Sequence, residues 1–408
     1  MISRIVLAAA VVMGGAAVAG ASVNSEGLDE LKGAAMKMGQ MLSMFDDGDL
    51  LPKGWGEALS QLQSSATPRP WKEILPLLEQ ALPGLDAFDH IDEEAVHSAS
   101  IGQVHRGWLK NGQAVAVKVR YPYMEEFIAS DITMMKRAFM VAKVLPASKG
   151  LDDIADTVEA LFLQELDFAK EREYYEFYYQ HFRDYSDYRV PQVIPEACTP
   201  TVLTTEWIDG ENLIQWINRH EHLDDPVTQE KRNALGQKIF ELMFIEMFKL
   251  HRIQSDPNPA NFLVTPDEKL VLLDFGATEV LSDSLVEHYR NLCQTLMDGT
   301  PDEIEAVCMQ MGMILEEDKP AAKEAFREMM ALIARPFWQE NFRWKDHRLA
   351  KEAYDAGRRF SLATHLRPPP ANIVFLNRRA TGNELILERL GPILTPKNFL
   401  PALLKLGL

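Results

Sequence analysis

The chain is poor in cysteine. Only Cys198, Cys293 and Cys308 occur in 408 residues, with no CxxC pair and no metal-ligand spacing. So sparse and odd a set argues against a disulfide framework and points to a reducing compartment or to buried thiols. Positive charge is also short. Against 60 Asp+Glu stand 42 Lys+Arg, giving a net charge of −18 and a pI near 5.1. That balance argues against a nucleic-acid protein held by its overall field, although a local basic patch is compatible with it. Beyond residue 23 no run reaches the ~18 consecutive apolar residues of a spanning helix. Neither an internal repeat nor a low-complexity tract is present. What remains is ordinary: 47% hydrophobic and 25% charged residues describe a folded, acidic protein, and the length suggests two or three domain-sized units.

Ile5 to Val23 is an uncharged, Ala- and Gly-rich run preceded by Arg4. Its length is at the short end for a bilayer span. Three readings stay open: a signal peptide ending near Ala19-Gly20-Ala21, a membrane-associated helix, and an Ala-rich helix docked on the protein itself. The nucleotide chemistry read below counts against export.

Leu28, Leu31, Ala35, Met38, Leu42 and Phe45 are spaced as one stripe of a helix, which the Asp46–Asp49 cluster ends. Residues 51–95 read as short helical patterns broken by prolines. From 96 to 119 the period becomes strand-like, with Asn111-Gly112 as a hairpin turn before Ala114-Val115-Ala116-Val117-Lys118-Val119. Residues 123–182 read as helical, Thr201–Thr205 as a strand, 226–252 as a long helix and 253–276 as loop with short strands. The rest is mostly helical apart from Pro368-Pro369-Pro370. The fold class expected is α+β, two-lobed, with antiparallel strands in one part and a larger helical part after it. The organisation expected is an apolar segment over 1–24, a helical extension over 25–95, a strand-bearing lobe over 96–208 and a helical lobe over 209–408.

The chemistry concentrates late in the chain. Asp256 is followed five residues on by Asn261 and eighteen on by Asp274-Phe275-Gly276. Phosphoryl transfer asks for these residue types. A carboxylate, Asp256, orients the attacking hydroxyl or water, while an amide oxygen (Asn261) and a second carboxylate (Asp274) are hard ligands for Mg²⁺. Upstream, Lys118 ends an Ala-Val-Ala-Val-Lys strand, where a fixed ammonium can meet phosphate oxygens. Each element alone is weak, but four in this order and spacing are specific to a kinase-like fold. Gly-x-Gly-x-x-Gly and Ala-Pro-Glu are both missing. The hairpin His97–His105 stands in place of the first, and Ala99 and Ser100 at its tip hold the backbone further from phosphates than glycines would.

Lys37-Met38-Gly39-Gln40, Ser98–His105, Val117-Lys118-Val119, Glu165-x-Asp167, Asp256-Pro257-x-Pro259-x-Asn261 and Asp274-Phe275-Gly276 together resemble the UbiB/ADCK (AarF-type) atypical kinase family. The likeness runs over about residues 28–395 and favours the ADCK side, since no C-terminal hydrophobic pair is present. It implies a protein-kinase-like fold with an N-terminal extension over the active cleft, binding of ATP or ADP with Mg²⁺, and ATPase rather than protein-kinase activity. It also implies a membrane-associated role in ubiquinone (coenzyme Q) or related isoprenoid-lipid biosynthesis. Expected partners are a lipid-biosynthesis complex, membrane lipid and an isoprenoid quinone precursor, with no nucleic acid. The expected location is intracellular: the cytoplasmic face of a bacterial inner membrane, or an organelle.

On this reading Ala99, Ser100, Gln103, Lys118, Glu206 and Ile208 contact nucleotide. Glu171, one turn after Asp167 on a helix, is the ion-pair partner of Lys118. Lys37, Gln40, Glu165 and Asp167 are regulatory, the Lys37 helix occupying the place of a peptide substrate. Gln254, Asn258 and Ala260 depart from the family's His-x-Asp-Pro-His-Pro-Gly-Asn pattern. The aromatic cluster Tyr174–Phe182 is read as packing, His97, His105 and His251 as structural. Arg358/Arg359 and Arg378/Arg379 are read as solvated helix faces that could meet anionic lipid. Rival readings are a non-catalytic nucleotide-binding scaffold and a small-molecule kinase of the aminoglycoside-phosphotransferase sort.

Overall fold

The computed structural model describes residues 68–98, 101–124, 163, 166–256, 258–364, 367 and 370–408. The N-terminal readings, Lys37, Gln40, Ala99, Ser100 and Glu165 lie outside these residues. The strands are β1 (Phe88–Ser98), β2 (Gly102–Leu109), β3 (Ala114–Arg120), β4 (Tyr188–Arg189), β5 (Val202–Glu206), β6 (Glu211–Asn212), β7 (Arg252–Gln254), β8 (Phe262–Val264), β9 (Leu270–Leu272), β10 (Thr278–Val280), β11 (Phe342–Arg343) and β12 (Ile393–Leu394). The helices that matter below are α1 (Trp71–Ala81), α2 (Phe168–Phe182), α3 (Pro226–Phe248) and α4 (Ala371–Leu390). Contacts divide the chain into two units: one ends at Glu176 and resumes over Pro191–Trp207, and the other holds Phe177–Val190 and Ile208–Leu408.

In the first unit an antiparallel sheet runs in the order β1-β2-β3-β5. Val115, Val117 and Val119 alternate onto one face of β3 and are fully buried, so the period-2 pattern sends Lys118 to the opposite face. Helix α1 buries Ile74 and Leu78, one turn apart, and packs on β3. The Asn111-Gly112 turn forms as its residues predict: Gly112 takes φ +84°, and the Gln113 amide donates to Asn111 Oδ1 at 2.9 Å.

Strand β1 is a correction, since it begins at Phe88, inside the stretch read as helical. Its register against β2 shifts in three places, so the two-residue alternation that betrays a strand is broken. It is also an edge strand, largely solvent-facing and rich in acids (Asp89, Asp92, Glu93, Glu94), and carries little apolar signal of either period. A second correction concerns Asp167, which precedes α2 rather than sharing its face. Its Oδ1 accepts the Lys170 amide at 2.9 Å, capping the helix.

The second unit is mainly helical. Asp225 caps α3 through the Thr228 amide at 2.9 Å, with Pro226 in the first turn. Phe240, Phe244 and Phe248 follow at helical spacing into a core shared with Phe337 and Trp344. The helix ends at Phe248, four residues before the expected boundary, because His251 turns the chain through φ +49° into β7. A small sheet β4-β9-β8-β6 and the pair β10-β7 bracket the loop carrying the chemistry. Among the described residues no helix is long and apolar enough to cross a membrane.

Candidate active site

In the first unit Lys118 Nζ donates to both oxygens of Glu171, at 2.8 and 2.9 Å. Glu171 is 2% exposed, and Phe168 places its ring 5.0 Å from the ammonium. Glu171 is thus the acid that meets Lys118, although Asp167, expected on the same helix face, caps the helix instead. The turn that carries it is fixed by the Asp167 cap, and Arg120 Nη1 holds the preceding Leu166 carbonyl at 2.7 Å. The lysine is thus held by a buried carboxylate through two hydrogen bonds.

Gln103 points its side chain inward. Its Oε1 accepts the Arg69 amide at 2.7 Å and the Tyr121 hydroxyl at 2.9 Å, and its Nε2 lies 2.8 Å from His105 Nε2. The Gln103 side-chain amide is thus engaged within the first unit. Gly102 beside it admits no side chain: an added Cβ would lie 2.3 Å from the Val119 carbonyl oxygen. Burial lowers the His105 pKa, and its Nδ1 sits 2.8 Å from the Asp92 carbonyl, a structural histidine. The Glu206 amide donates to Gln192 O at 2.7 Å, and the Trp207 amide to Ala114 O at 3.0 Å. Ile208 is buried and opens the second unit.

In the second unit Asp256 follows β7. Its Oδ2 accepts Asn261 Nδ2 at 3.0 Å and its Oδ1 accepts Arg378 Nη2 at 3.1 Å. Asn258, where the resembling family has His, accepts the Ala260 amide at 2.9 Å and caps the short turn Pro259–Asn261. The Asn261 carbonyl takes the Leu273 amide at 2.8 Å, tying the loop to Asp274. Asp274 stands in the left-handed region at φ +58°, with Oδ1 accepting the Gly276 amide at 3.2 Å. Such a backbone in a non-glycine residue costs about 1 kcal/mol or more and marks functional sites. Gln254 helps to position this turn, since its Nε2 donates to the Asp274 carbonyl at 2.8 Å. Phe275 is 1% exposed, its ring 4.3 Å from Tyr178.

Two groups escaped the sequence. Arg378 and Arg379 are not a solvated face. Arg378 pairs with Asp256, and Arg379, 1% exposed, pairs with Glu246 at 3.1 Å. The available signal was that residues 367–383 hold no acid, so neither arginine has a local partner on its helix. Glu246 is likewise a lone acid in the apolar run Phe244–Phe248. Of the aromatic cluster, Tyr174, Tyr175, Tyr178 and Phe182 are buried. His251 meets Asp283 at 2.8 Å. Among the described residues no group of three His, Cys, Asp or Glu could hold a metal ion alone. Mg²⁺ needs no such cage: Asn261 spends its amide nitrogen on Asp256, leaving oxygen as its ligating atom, and the Asp274 carboxylate is the second hard donor. The residues present fit that ion.

A Lys–Glu pair on a strand-and-helix unit, with an Asp-x4-Asn loop and Asp-Phe-Gly in a helical unit, defines a kinase-like fold. The ABC1 atypical kinase-like domain matches residues 61–308, and the chain belongs to that family. Its similarity to the mitochondrial atypical kinase coq-8 of Caenorhabditis elegans is 29% identity over 373 residues, covering 89% of this chain and 48% of the relative. The mitochondrial atypical kinase COQ8B of Rattus norvegicus is 30% identical over 375 residues (88% and 67%), and COQ8 of Saccharomyces cerevisiae 27% over 368 (89% and 72%). The chain thus spans about half the length of the worm relative and about two thirds of the rat one. Among solved structures, the complex of Rv3197 with erythromycin from Mycobacterium tuberculosis superposes with a TM-score of 0.65 at 25% identity, covering 93% of this chain and 94% of that one.

Proposed function

We propose that the protein is an atypical kinase-like ATPase that binds Mg²⁺–nucleotide and supports coenzyme Q or related isoprenoid-lipid biosynthesis. The observation that carries this is the loop in which Asn261 bonds the Asp256 carboxylate with its side chain and the amide of Leu273, the residue before Asp274, with its carbonyl, while Asp274 is held at φ +58°. Lys118, fixed by Glu171, would bind phosphate oxygens. Asp256 would orient water or a small hydroxyl. Asn261 and Asp274 would hold Mg²⁺, which when bound neutralises phosphate charge. Catalysis would come from positioning and charge stabilisation. Ala99, Ser100, Gln103, Glu206 and Ile208 are proposed to line the nucleotide through backbone and apolar contacts, with Lys37, Gln40, Glu165 and Asp167 restraining transfer to proteins. The lipid role and an organellar location are supported by the relatives' names, COQ8 and mitochondrial; association with a membrane is part of the proposal.

One observation favours a second reading, a nucleotide-binding scaffold: both Asp256 oxygens are already engaged, by Asn261 and Arg378. Mg²⁺-dependent ATP hydrolysis with and without anionic liposomes and a quinone-headgroup mimic separates the two. Turnover that rises with lipid and disappears in Asp256→Asn and Asp274→Asn supports the ATPase. Nucleotide binding without turnover, weakened by Asp274→Asn, selects the scaffold, and no binding at all sinks both.

A further inference from the structure

Glu246 has no part in the motifs above, yet it touches neighbours of both site carboxylates of the second unit, Asp256 and Asp274. It lies on α3 among Phe244, Ile245, Met247 and Phe248, is 1% exposed, and uses both oxygens. Oε1 accepts the Tyr178 hydroxyl at 3.0 Å and the Gln254 amide at 3.3 Å; Oε2 accepts Arg379 Nη2 at 3.1 Å. Each partner leads to a catalytic element. Gln254, held at its backbone by Glu246, holds the Asp274 carbonyl with its side chain at 2.8 Å. Tyr178 lies against Phe275, the residue after Asp274. Arg379 adjoins Arg378 on α4, so fixing the one sets the rotation of the helix that brings the other to Asp256.

Burial and the charge on its own neighbours act on Glu246 in opposite senses: desolvation pushes its pKa up, and Arg379 and Tyr178 pull it down. Stability alone is a poor reason for such a residue. Withdrawing both charges from water costs several kcal/mol per ion, and well-packed apolar pairs commonly serve a core as well or better. Arg379 Nε and Nη1 have no hydrogen-bond partner among the described residues, which adds to that cost. What an apolar pair could not do is hold Gln254, Tyr178 and Arg379 in one fixed mutual geometry.

We infer that Glu246 is a positioning residue for phosphoryl chemistry, a buried hub that sets Asp256 through Arg379–Arg378 and Asp274 through Gln254 and Tyr178–Phe275. This rests on the Mg²⁺–nucleotide reading above. The test compares the full-length protein with Glu246→Gln, Tyr178→Phe and Glu246→Gln/Arg379→Met. Three quantities are read: the stoichiometry of a fluorescent ATP analogue, turnover per bound nucleotide, and the Mg²⁺ concentration at half-maximal effect. Glu246→Gln should keep one nucleotide per chain while turnover per bound nucleotide falls about 10- to 100-fold, the range expected for one charge-assisted contact. Its Mg²⁺ requirement should rise several-fold. Tyr178→Phe, which removes one hydroxyl, should move the same way by roughly 3- to 10-fold and serves if Glu246→Gln does not fold. The double variant should regain the wild-type melting temperature without regaining turnover.

Turnover and Mg²⁺ requirement within twofold of wild type in the variant that folds would overturn the inference, as would a double variant that restores both. Where wild type binds nucleotide without turning it over, the Mg²⁺ requirement decides alone. Wild type that binds no nucleotide refutes the functional reading itself, and the positioning role with it.

Discussion

Replacing Glu171 by Gln should separate what the Lys118–Glu171 pair does for stability from what it does for chemistry. The substitution keeps shape but turns one of two acceptors, at 2.8 and 2.9 Å from Nζ, into a donor facing an ammonium. Glu171 is 2% exposed and the Lys118 side chain 18%, so an ammonium deprived of that carboxylate has little water to turn to. Breaking a buried pair from one side costs about 3–5 kcal/mol, and the partial exposure of the lysine places this case near about 3. At about 2–4 °C per kcal/mol for a cooperative unit of this size, the melting temperature should fall by roughly 6–12 °C. Lys118→Met should lose a comparable amount. Lys118→Met/Glu171→Gln, which removes both charges, should recover most of it, because coupled residues are not additive. On the proposed ATPase reading, nucleotide turnover should stay lost in all three, since none retains an ammonium fixed by a carboxylate. Scanning calorimetry beside a nucleotide-turnover assay reads both. If the losses of the two single variants simply add in the double, the pair is not a coupled buried interaction and the reasoning fails.

Glu384 offers a pH test. Burial raises its carboxyl to about 8, against Trp344 Nε1, which donates to it at 2.8 Å and opposes the rise. A folded-state pKa above the unfolded 4.5 means that the native state holds the extra proton between these values. Its stabilising contribution is therefore complete below about pH 4.5 and is lost as pH rises towards about 8. Glu384→Gln, which keeps an acceptor for Trp344, should flatten that decline and melt above wild type at pH 8; parallel stability–pH curves would contradict it. Gly102→Ala should destabilise the first unit by about 2–4 kcal/mol, because its Cβ would lie 2.3 Å from the Val119 carbonyl oxygen, and a melting temperature within 2 °C of wild type would show that β2 and β3 can part cheaply.

The legibility of the chain varies with the distance over which its constraints act. Lys118 was readable because three valines alternate along one strand and force it to the other face. Asp256, Asn261 and Asp274 were readable because a short loop fixes their spacing, and Glu171 because it is an acid early in a segment that the sequence shows to be helical. Strand β1 was not: its bulges erase the period, and an edge strand facing solvent has no reason to be apolar. Asp167 looked helical from composition, but its short side chain closes on the Lys170 amide and starts a new helix instead. Glu246 and Arg379 are 133 residues apart in sequence, and nothing local records their pairing. Lone charges in apolar surroundings were the signal, and only the folded chain says which meets which.

At Asp274 two demands fall on one position. The carboxylate is required by its proposed chemistry, and the left-handed backbone is required by the turn into Phe275. Saturation mutagenesis there should show an unusually narrow tolerance. Glycine suits the backbone and offers no ligand, whereas glutamate keeps the charge on a side chain that resists this conformation. Asparagine keeps the backbone and a single oxygen. A drift away from function at this site therefore has one conservative exit, and a natural variant carrying asparagine would be the form in which the fold outlives the chemistry.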